Sequence, residues 1–156
     1  MNITFWLNGR KKQAEVDASE LLLDFLRKNS CYSVKRGCET ANCGLCTVLM
    51  DDRPVLSCSM LAARADGKKI VTLEGMQEEA KEFGQFMANE GAEQCGFCNP
   101  GFIMNVFAML RELEDPTEDE IREYLSGNLC RCSGFVGQTR SILKFLDYKK
   151  RQEEGE

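Results

Sequence analysis

The chain has 156 residues, of which 43% are hydrophobic and 29% are charged, and its formal net charge is −5. This length can form one domain or two small ones around a packed core. The acidic balance argues against a nucleic-acid partner, and no stretch approaches the roughly 18 consecutive apolar residues that span a bilayer. The sequence contains no histidine. It therefore cannot supply a Ser–His or Cys–His nucleophile pair, a His-liganded catalytic zinc site or a Rieske-type cluster.

Nine cysteines are the second compositional feature. The amino terminus lacks the basic start and apolar run of a signal peptide, so we expect a cytoplasmic location. Because the cytoplasm keeps thiols reduced, the cysteines indicate metal binding rather than a disulfide framework. The sequence has neither a P-loop nor a Gly-x-Gly-x-x-Gly motif, so we expect no nucleotide-binding loop in this chain.

The amino-terminal part of the sequence predicts a β-hairpin followed by a helix. Apolar residues alternate over 3–7, which is typical of a half-buried strand. An Asn-Gly pair then predicts a tight turn before a return strand over 10–16. Asp17 and Glu20 stand at capping-box spacing, so we expect them to begin the helix.

The next segments predict a mixed sheet around that helix. Residues 46–50 predict a strand, and the residues after it predict a turn into a short partner strand. Residues 60–63 predict a single helical turn, and 70–73 predict a closing strand. Mixed strands around one helix are typical of a β-grasp ferredoxin-like unit, which we expect over residues 1–75.

The remainder of the chain shows helical periodicity only, and it predicts an all-α unit of four helices over residues 76–156. Asn99 is the expected N-cap of the second of these helices, with Pro100 at its first helical position. Thr117 and Glu120 form the expected capping box of the third helix. The sequence therefore predicts an α+β chain in two parts.

Eight of the nine cysteines fall into two sets of four. The first set has the spacing C-x4-C-x2-C, with a fourth cysteine after eleven intervening residues: Cys38, Cys43, Cys46 and Cys58. This spacing is that of plant-type [2Fe–2S] clusters, in which one tight loop surrounds the cluster. Gly37 and Gly44 can supply the permissive backbone that such a loop needs. A structural zinc site is the alternative, although zinc sites usually pair two separated cysteine dyads.

The second set combines a C-x2-C dyad and a C-x-C dyad, with 31 residues between them: Cys95, Cys98, Cys130 and Cys132. Each dyad lies immediately before a predicted helix. Two helix N-termini would then direct free N–H groups at one anionic centre. By itself this set fits a zinc site as well as it fits a second cluster. The ninth cysteine, Cys31, lies outside both spacings and is expected to be an apolar filler.

Three strings occur in one order along the chain: Cys43-Gly44-Leu45-Cys46-Thr47-Val48, Gln94-Cys95-Gly96-Phe97-Cys98-Asn99-Pro100-Gly101 and Gly127-Asn128-Leu129-Cys130-Arg131-Cys132-Ser133-Gly134-Phe135. Through them, nearly the whole chain closely resembles the small iron–sulfur subunit of the molybdenum hydroxylase (xanthine oxidase) family. The resemblance implies a β-grasp domain and a four-helix domain, each with one [2Fe–2S] cluster. It also implies that the two cysteine sets are the cluster ligands.

The resemblance further implies an electron-transfer subunit of a hydroxylase or dehydrogenase complex. In that family a large subunit binds the molybdenum cofactor and oxidises the substrate, and a medium subunit binds FAD. Electrons would pass singly from molybdenum through the helical-domain cluster, then through the ferredoxin-type cluster, to the flavin. Gln94 would contact the molybdopterin, and no catalytic, substrate-converting residue would lie in this chain.

The sequence departs from the usual family pattern at three places. Glu39 and Ala41 replace two loop glycines, Asn99 replaces a threonine, and Ser133 and Phe135 replace a threonine and a tyrosine. None of these changes removes a ligand, but Glu39 and Ala41 are expected to alter the surroundings of the first cluster. A free-standing two-cluster ferredoxin is the alternative function, and a zinc-stabilised adaptor without a redox role is a third.

Overall fold

The computed structural model describes residues 1–155, which form a mixed five-stranded sheet and five α-helices. The strands are β1 (Asn2–Leu7), β2 (Arg10–Glu15), β3 (Thr47–Met50), β4 (Arg53–Leu56) and β5 (Lys69–Val71). The helices are α1 (Leu22–Lys28), α2 (Gln77–Asn89), α3 (Asn99–Glu112), α4 (Glu118–Tyr124) and α5 (Phe135–Glu154). The strand order is β2-β1-β5-β3-β4, in which β1 and β5 are parallel and the other neighbours are antiparallel. The predicted mixture of a sheet followed by helices is confirmed.

The amino-terminal hairpin forms as its sequence predicts. Asn8 and Gly9 both have positive φ, 50° and 78°, as a two-residue turn with the right-handed twist of the strands requires. The alternation in β1 buries Ile3, Phe5 and Leu7 on one face of the sheet. On that face Phe5 meets Phe25 of α1 edge-on, with 5.3 Å between ring centroids. The first helix is therefore held against the sheet by apolar packing.

The predicted capping box of α1 is wrong. The Asp17 carboxylate accepts hydrogen bonds from the N–H and hydroxyl of Ser19 instead, and no side chain caps the helix. Tertiary pairing sets the start of this helix. The Leu22 N–H donates to the carbonyl of Met60 at 2.7 Å, and the Ala62 N–H donates to the carbonyl of Glu20 at 2.8 Å.

The second half of the chain packs around aromatic side chains. Phe83 of α2 is fully buried and contacts Phe145 of α5 edge-on, with 5.3 Å between centroids. Thr117 and Glu120 form the predicted capping box at the start of α4. No helix within residues 1–155 is both long and apolar enough to cross a membrane.

The predicted N-cap of α3 is displaced by one residue. Asn99 is the first helical residue and Cys98 is the N-cap, without a side-chain capping bond. The carbonyl of Cys98 accepts the Phe102 N–H at 3.1 Å, which begins the helix one residue earlier than expected. The helix therefore starts directly at a cysteine of the second set.

Helix α3 joins the two halves of the chain. Alternate residues of β3 point to opposite faces of the sheet, so Val48 joins the core beneath α1 while Leu49 packs with Met104 and Ala108 of α3. Both faces of this strand are buried. The amino-terminal end of α3 consequently lies beside the loop that precedes β3.

Candidate metal centres

The first cysteine set is assembled by the loop before β3 and the turn after β4. Antiparallel pairing of these strands places Thr47 opposite Leu56, which brings the preceding Cys46 and the following Cys58 together. Their side chains contact each other. The buried Ser57 hydroxyl donates to the carbonyl of Cys46 at 2.7 Å and holds this junction closed.

The other two cysteines of this set lie within the loop itself. The side chains of Cys38 and Cys43 contact each other, and the loop turns at Ala41 and Gly44, whose φ values are 54° and 74°. Ala41 therefore adopts a conformation that favours glycine, at a cost of about 1 kcal/mol.

Backbone N–H groups surround the sulfur of Cys38. The N–H groups of Asn42 and then Thr40 lower the pKa of this thiol from 9.0 to about 6. Cys58 behaves oppositely, because burial, followed by its contact with Cys46, raises its pKa to about 12. The loop thus supplies donors that stabilise a thiolate at its exposed side, as a bound anionic cluster requires.

The second cysteine set also forms two contacting pairs. The sulfurs of Cys95 and Cys132 are 3.4 Å apart, and Cys98 contacts Cys130. Helices α3 and α4 lie between the C-x2-C and C-x-C dyads in the sequence. The fold brings the start of α3 and the start of α5 together, so that the two dyads meet. Although burial opposes it, the N–H groups of Gly134 and Cys132 lower the pKa of Cys130. The predicted convergence of the four thiols at two helix starts agrees with this arrangement.

The two sets differ in their exposure. In the first set Cys43 and Cys46 are buried, whereas in the second set Cys95 and Cys132 are exposed. Four exposed apolar side chains adjoin the second set and are called the apolar rim below: Phe97, Leu129, Phe135 and Val136. The second set therefore opens on a hydrophobic surface.

The donor sets fit two-iron clusters. Each iron of a four-thiolate [2Fe–2S] cluster takes two cysteine ligands, and each set presents two contacting pairs. Within residues 1–155, no three His, Cys, Asp or Glu side chains form a group that could hold a single metal ion.

The two sets are directly connected. The Leu129 N–H donates to the carbonyl of Cys43 at 2.9 Å, so the loop before Cys130 is hydrogen-bonded to a cysteine of the first set. The buried amide of Asn128 donates to the carbonyl of Gly44 at 3.4 Å and accepts from the Asn105 amide at 2.6 Å. Cysteines of both sets also line one cavity of about 500 Å³.

Residues outside the cysteine sets reach the same region. Lys35 was not predicted, yet its ammonium donates to the carbonyl of Phe97 at 3.2 Å and lies 4.7 Å from the centroid of that ring. Gln94 is exposed, and its amide donates to the carbonyl of Cys132 at 3.2 Å. Gln138 was also missed, and its amide lies 3.9 Å from the sulfur of Cys98. No local sequence signal marks Lys35 or Gln138, because both act across the fold.

The ninth cysteine, Cys31, is 2% exposed in the core beneath α1.

The chain matches two families that bind iron–sulfur clusters. The family described as a 2Fe-2S iron-sulfur cluster binding domain matches residues 5–73, and the family described as a [2Fe-2S] binding domain matches residues 72–143. Together these matches include all eight cysteines of the two sets.

Whole-chain relatives agree with these matches. The chain is 42% identical to the nicotinate dehydrogenase small FeS subunit of Eubacterium barkeri over 139 residues, covering 87% of this chain and 88% of the relative. It is 47% identical to the xanthine dehydrogenase iron-sulfur-binding subunit of Escherichia coli O157:H7 over 141 residues, covering 88% and 89%. Among solved structures, a chain of quinoline 2-oxidoreductase from Pseudomonas putida 86 superposes with a TM-score of 0.88 at 36% identity, covering 100% of this chain and 98% of that chain. The chain therefore belongs to the family of small [2Fe–2S] iron–sulfur subunits of molybdenum hydroxylases.

Proposed function

We propose that this chain relays electrons singly between the molybdenum cofactor of a large partner subunit and FAD in a medium subunit. The observation that carries the proposal is the hydrogen bond from the Leu129 N–H to the carbonyl of Cys43, which joins the two thiol sets at 2.9 Å. When bound, the two [2Fe–2S] clusters supply one-electron carriers. The chain contributes their ligands, their spacing and the bonded route between them.

The contacting pairs support a specific distribution of ligands. We propose that Cys38 and Cys43 share one iron of the first cluster and that Cys46 and Cys58 share the other. In the second cluster, Cys95 and Cys132 share one iron, while Cys98 and Cys130 share the other. These pairs are the ones whose side chains contact each other, as two thiolates on one metal ion must.

Each proposed ligand set lies in its own part of the chain. We propose a ferredoxin-like domain over residues 1–75 and a four-helix domain over 76–156. The boundary is supported by the two family matches, which meet at residues 72–73, and by the short helical turn Leu73–Gly75 that ends the sheet. None of the nine cysteines forms a disulfide within residues 1–155, which also supports a reducing, cytoplasmic location.

Exposure supports the direction of electron flow. The second set opens on the apolar rim, which suits a surface buried against a partner subunit. Gln94 lies beside Cys132 at this surface, where it can contact a pterin held by that partner. We therefore propose that electrons enter at the second set, cross the Leu129–Cys43 hydrogen bond and leave from the first set towards the flavin.

The purified complex provides the test. We expect about four iron and four acid-labile sulfide per copy of this chain, with two distinct EPR signals after reduction. Cys43→Ser should abolish the signal of the first cluster and leave that of the second. Cys31→Ala, which removes the ninth cysteine, should leave both signals.

Two results would contradict the proposal. A colourless, zinc-loaded chain would identify an adaptor without a redox role. A stable two-cluster monomer that never copurifies with molybdenum- and flavin-binding chains would identify a free-standing ferredoxin.

A further inference from the structure

Gln138 is a buried polar side chain inside helix α5. It is 2% exposed, and its Oε1 accepts no hydrogen bond from the residues that the structure describes. Burying an amide without full hydrogen bonding costs about 1–3 kcal/mol. A leucine or methionine of similar size would avoid that cost. The amide at this position therefore needs a reason other than packing.

The contact made by its amide nitrogen supplies that reason. Nε2 of Gln138 lies 3.9 Å from the sulfur of Cys98, within reach of an N–H···S hydrogen bond. The sulfur of the paired Cys130 receives backbone N–H donors from Gly134, Cys132 and Ser133, and the sulfur of Cys98 receives its own backbone N–H. Gln138 thus brings a side-chain donor to the half-buried pair of the second set.

Such a donor has a defined electrostatic effect. A bound cluster would gain a negative charge on one-electron reduction, and the sulfurs that hold it, including that of Cys98, would share this charge. A fixed N–H donor at one of those sulfurs stabilises the reduced state more than the oxidised state, and hydrogen bonds to sulfur are one of the determinants of cluster potential. Its burial protects the hydrogen bond from competition with water.

We infer that Gln138 is a positioning residue that orients the Cys98 sulfur and raises the midpoint potential of the cluster held by the second set. This inference rests on the proposed function, because it takes Cys98 as a ligand of that cluster. The raised potential makes the second cluster a better acceptor for electrons that enter from the molybdenum subunit. The buried Oε1 of Gln138, which accepts no hydrogen bond within residues 1–155, is the energetic cost of placing this donor.

The experiment is a potentiometric EPR titration of the purified complex carrying Gln138→Leu. We expect the ratio of reduced to oxidised second cluster at a fixed potential to fall about tenfold, a shift of about 59 mV to more negative potential. The first cluster should titrate as in the wild type. Thermal unfolding should occur at the same or a higher temperature, because the unsatisfied oxygen is gone. A loss of packing would instead lower both stability and cluster content.

A matched control lies one turn along the same helix. Ser141 is fully buried and donates to the carbonyl of Gly137, so Ser141→Ala removes a buried hydrogen bond without touching a cysteine. It should leave both potentials unchanged. Gln138→Met keeps the side-chain length and should reproduce the shift of the leucine variant.

Three outcomes would overturn the inference. The first is an unchanged potential of the second cluster in Gln138→Leu, and the second is an equal shift in Ser141→Ala. The third is loss of the second EPR signal in both the leucine and the methionine variants. That loss would make the side chain necessary for ligation rather than for tuning. The wild-type titration separates these from failure of the proposed function, because it must show two clusters before any variant is compared.

Discussion

At the scale of single residues, Glu74 shows how one carboxylate connects distant parts of the chain. Its oxygens accept hydrogen bonds from the N–H and hydroxyl of Ser33, at 2.8 and 2.6 Å, and from the hydroxyl of Thr72 at 2.6 Å. Burial opposes ionisation, but the bonds from Ser33 and Thr72 outweigh it and lower the pKa of Glu74 below 4.5. The loop before the first cysteine set is thereby tied to the end of the sheet.

The lowered pKa gives a pH dependence with a defined sign. A carboxyl whose pKa is depressed on folding contributes stability that is present above its unfolded pKa and is lost as pH falls through its folded pKa. Glu74→Gln should therefore reduce the free energy of unfolding by about 2 kcal/mol at neutral pH. The difference from the wild type should shrink as pH falls below about 4.5. Chemical denaturation at several pH values measures this.

The control for this prediction is Glu153→Gln, which removes an exposed carboxylate near the end of α5. It should change the free energy of unfolding by less than about 0.5 kcal/mol at every pH. A difference for Glu74→Gln that stayed constant down to acid pH would show that the charge of Glu74 is not what stabilises the fold.

At the scale of secondary-structure elements, the close approach of α3 to the first cysteine loop depends on one glycine. A Cβ at Gly101 would lie 2.2 Å from the carbonyl oxygen of Gly44 and 2.8 Å from the Cα of Leu45. Both neighbours are backbone atoms and cannot rotate away. The first turn of α3 must therefore be free of side chains here for the two cysteine sets to meet.

Gly101→Ala should push α3 away from this loop and lower the free energy of unfolding by about 1–3 kcal/mol. Denaturation of the cluster-loaded protein measures the change. Gly84 lies inside α2, and a Cβ there would have no neighbour within 4 Å. Gly84→Ala should consequently stabilise the protein by about 0.5–1 kcal/mol. Equal effects of the two substitutions would contradict the packing argument.

At the scale of the whole molecule, the apolar rim beside the second cysteine set is the surface that we propose to be buried against a partner subunit. Phe135 and Val136 are 50% and 65% exposed and lie in the first turn of α5. Acidic residues in the first turn of a helix are compatible with its dipole. Glutamate substitutions at these positions should therefore leave the fold intact while placing charges on the surface.

The double substitution Phe135→Glu and Val136→Glu should weaken association with the molybdenum-binding subunit by about thirtyfold or more, the effect of losing about 2 kcal/mol of binding energy. Copurification and titration of the separated subunits measure this, and both EPR signals should persist. Tyr32→Glu changes an exposed aromatic residue of the amino-terminal part and serves as the control. Unaltered association of the double variant would place the partner elsewhere.

Local sequence information was sufficient for most elements and for grouping eight cysteines into two sets of four. The period-2 pattern of β1, the Asn-Gly turn and the capping box at Thr117 act between residues close in the chain, so the sequence predicts them correctly. The starts of α1 and α3 were misplaced for the opposite reason. At α1 the stretch around Met60 decides the boundary, and at α3 the helix begins on Cys98, which also belongs to the second set.

The sequence by itself determined that eight of the nine thiols form two sets and that a sheet is followed by helices. It also determined that the chain belongs to an iron–sulfur family. Only the tertiary structure decided which thiols pair, that the Leu129 N–H meets the carbonyl of Cys43, and that Gln138 reaches the sulfur of Cys98. The physical reason is the separation along the chain of the residues that make each contact. Ligand spacing and helix periodicity are encoded between near neighbours, whereas these contacts join segments that meet only when α3 packs against β3.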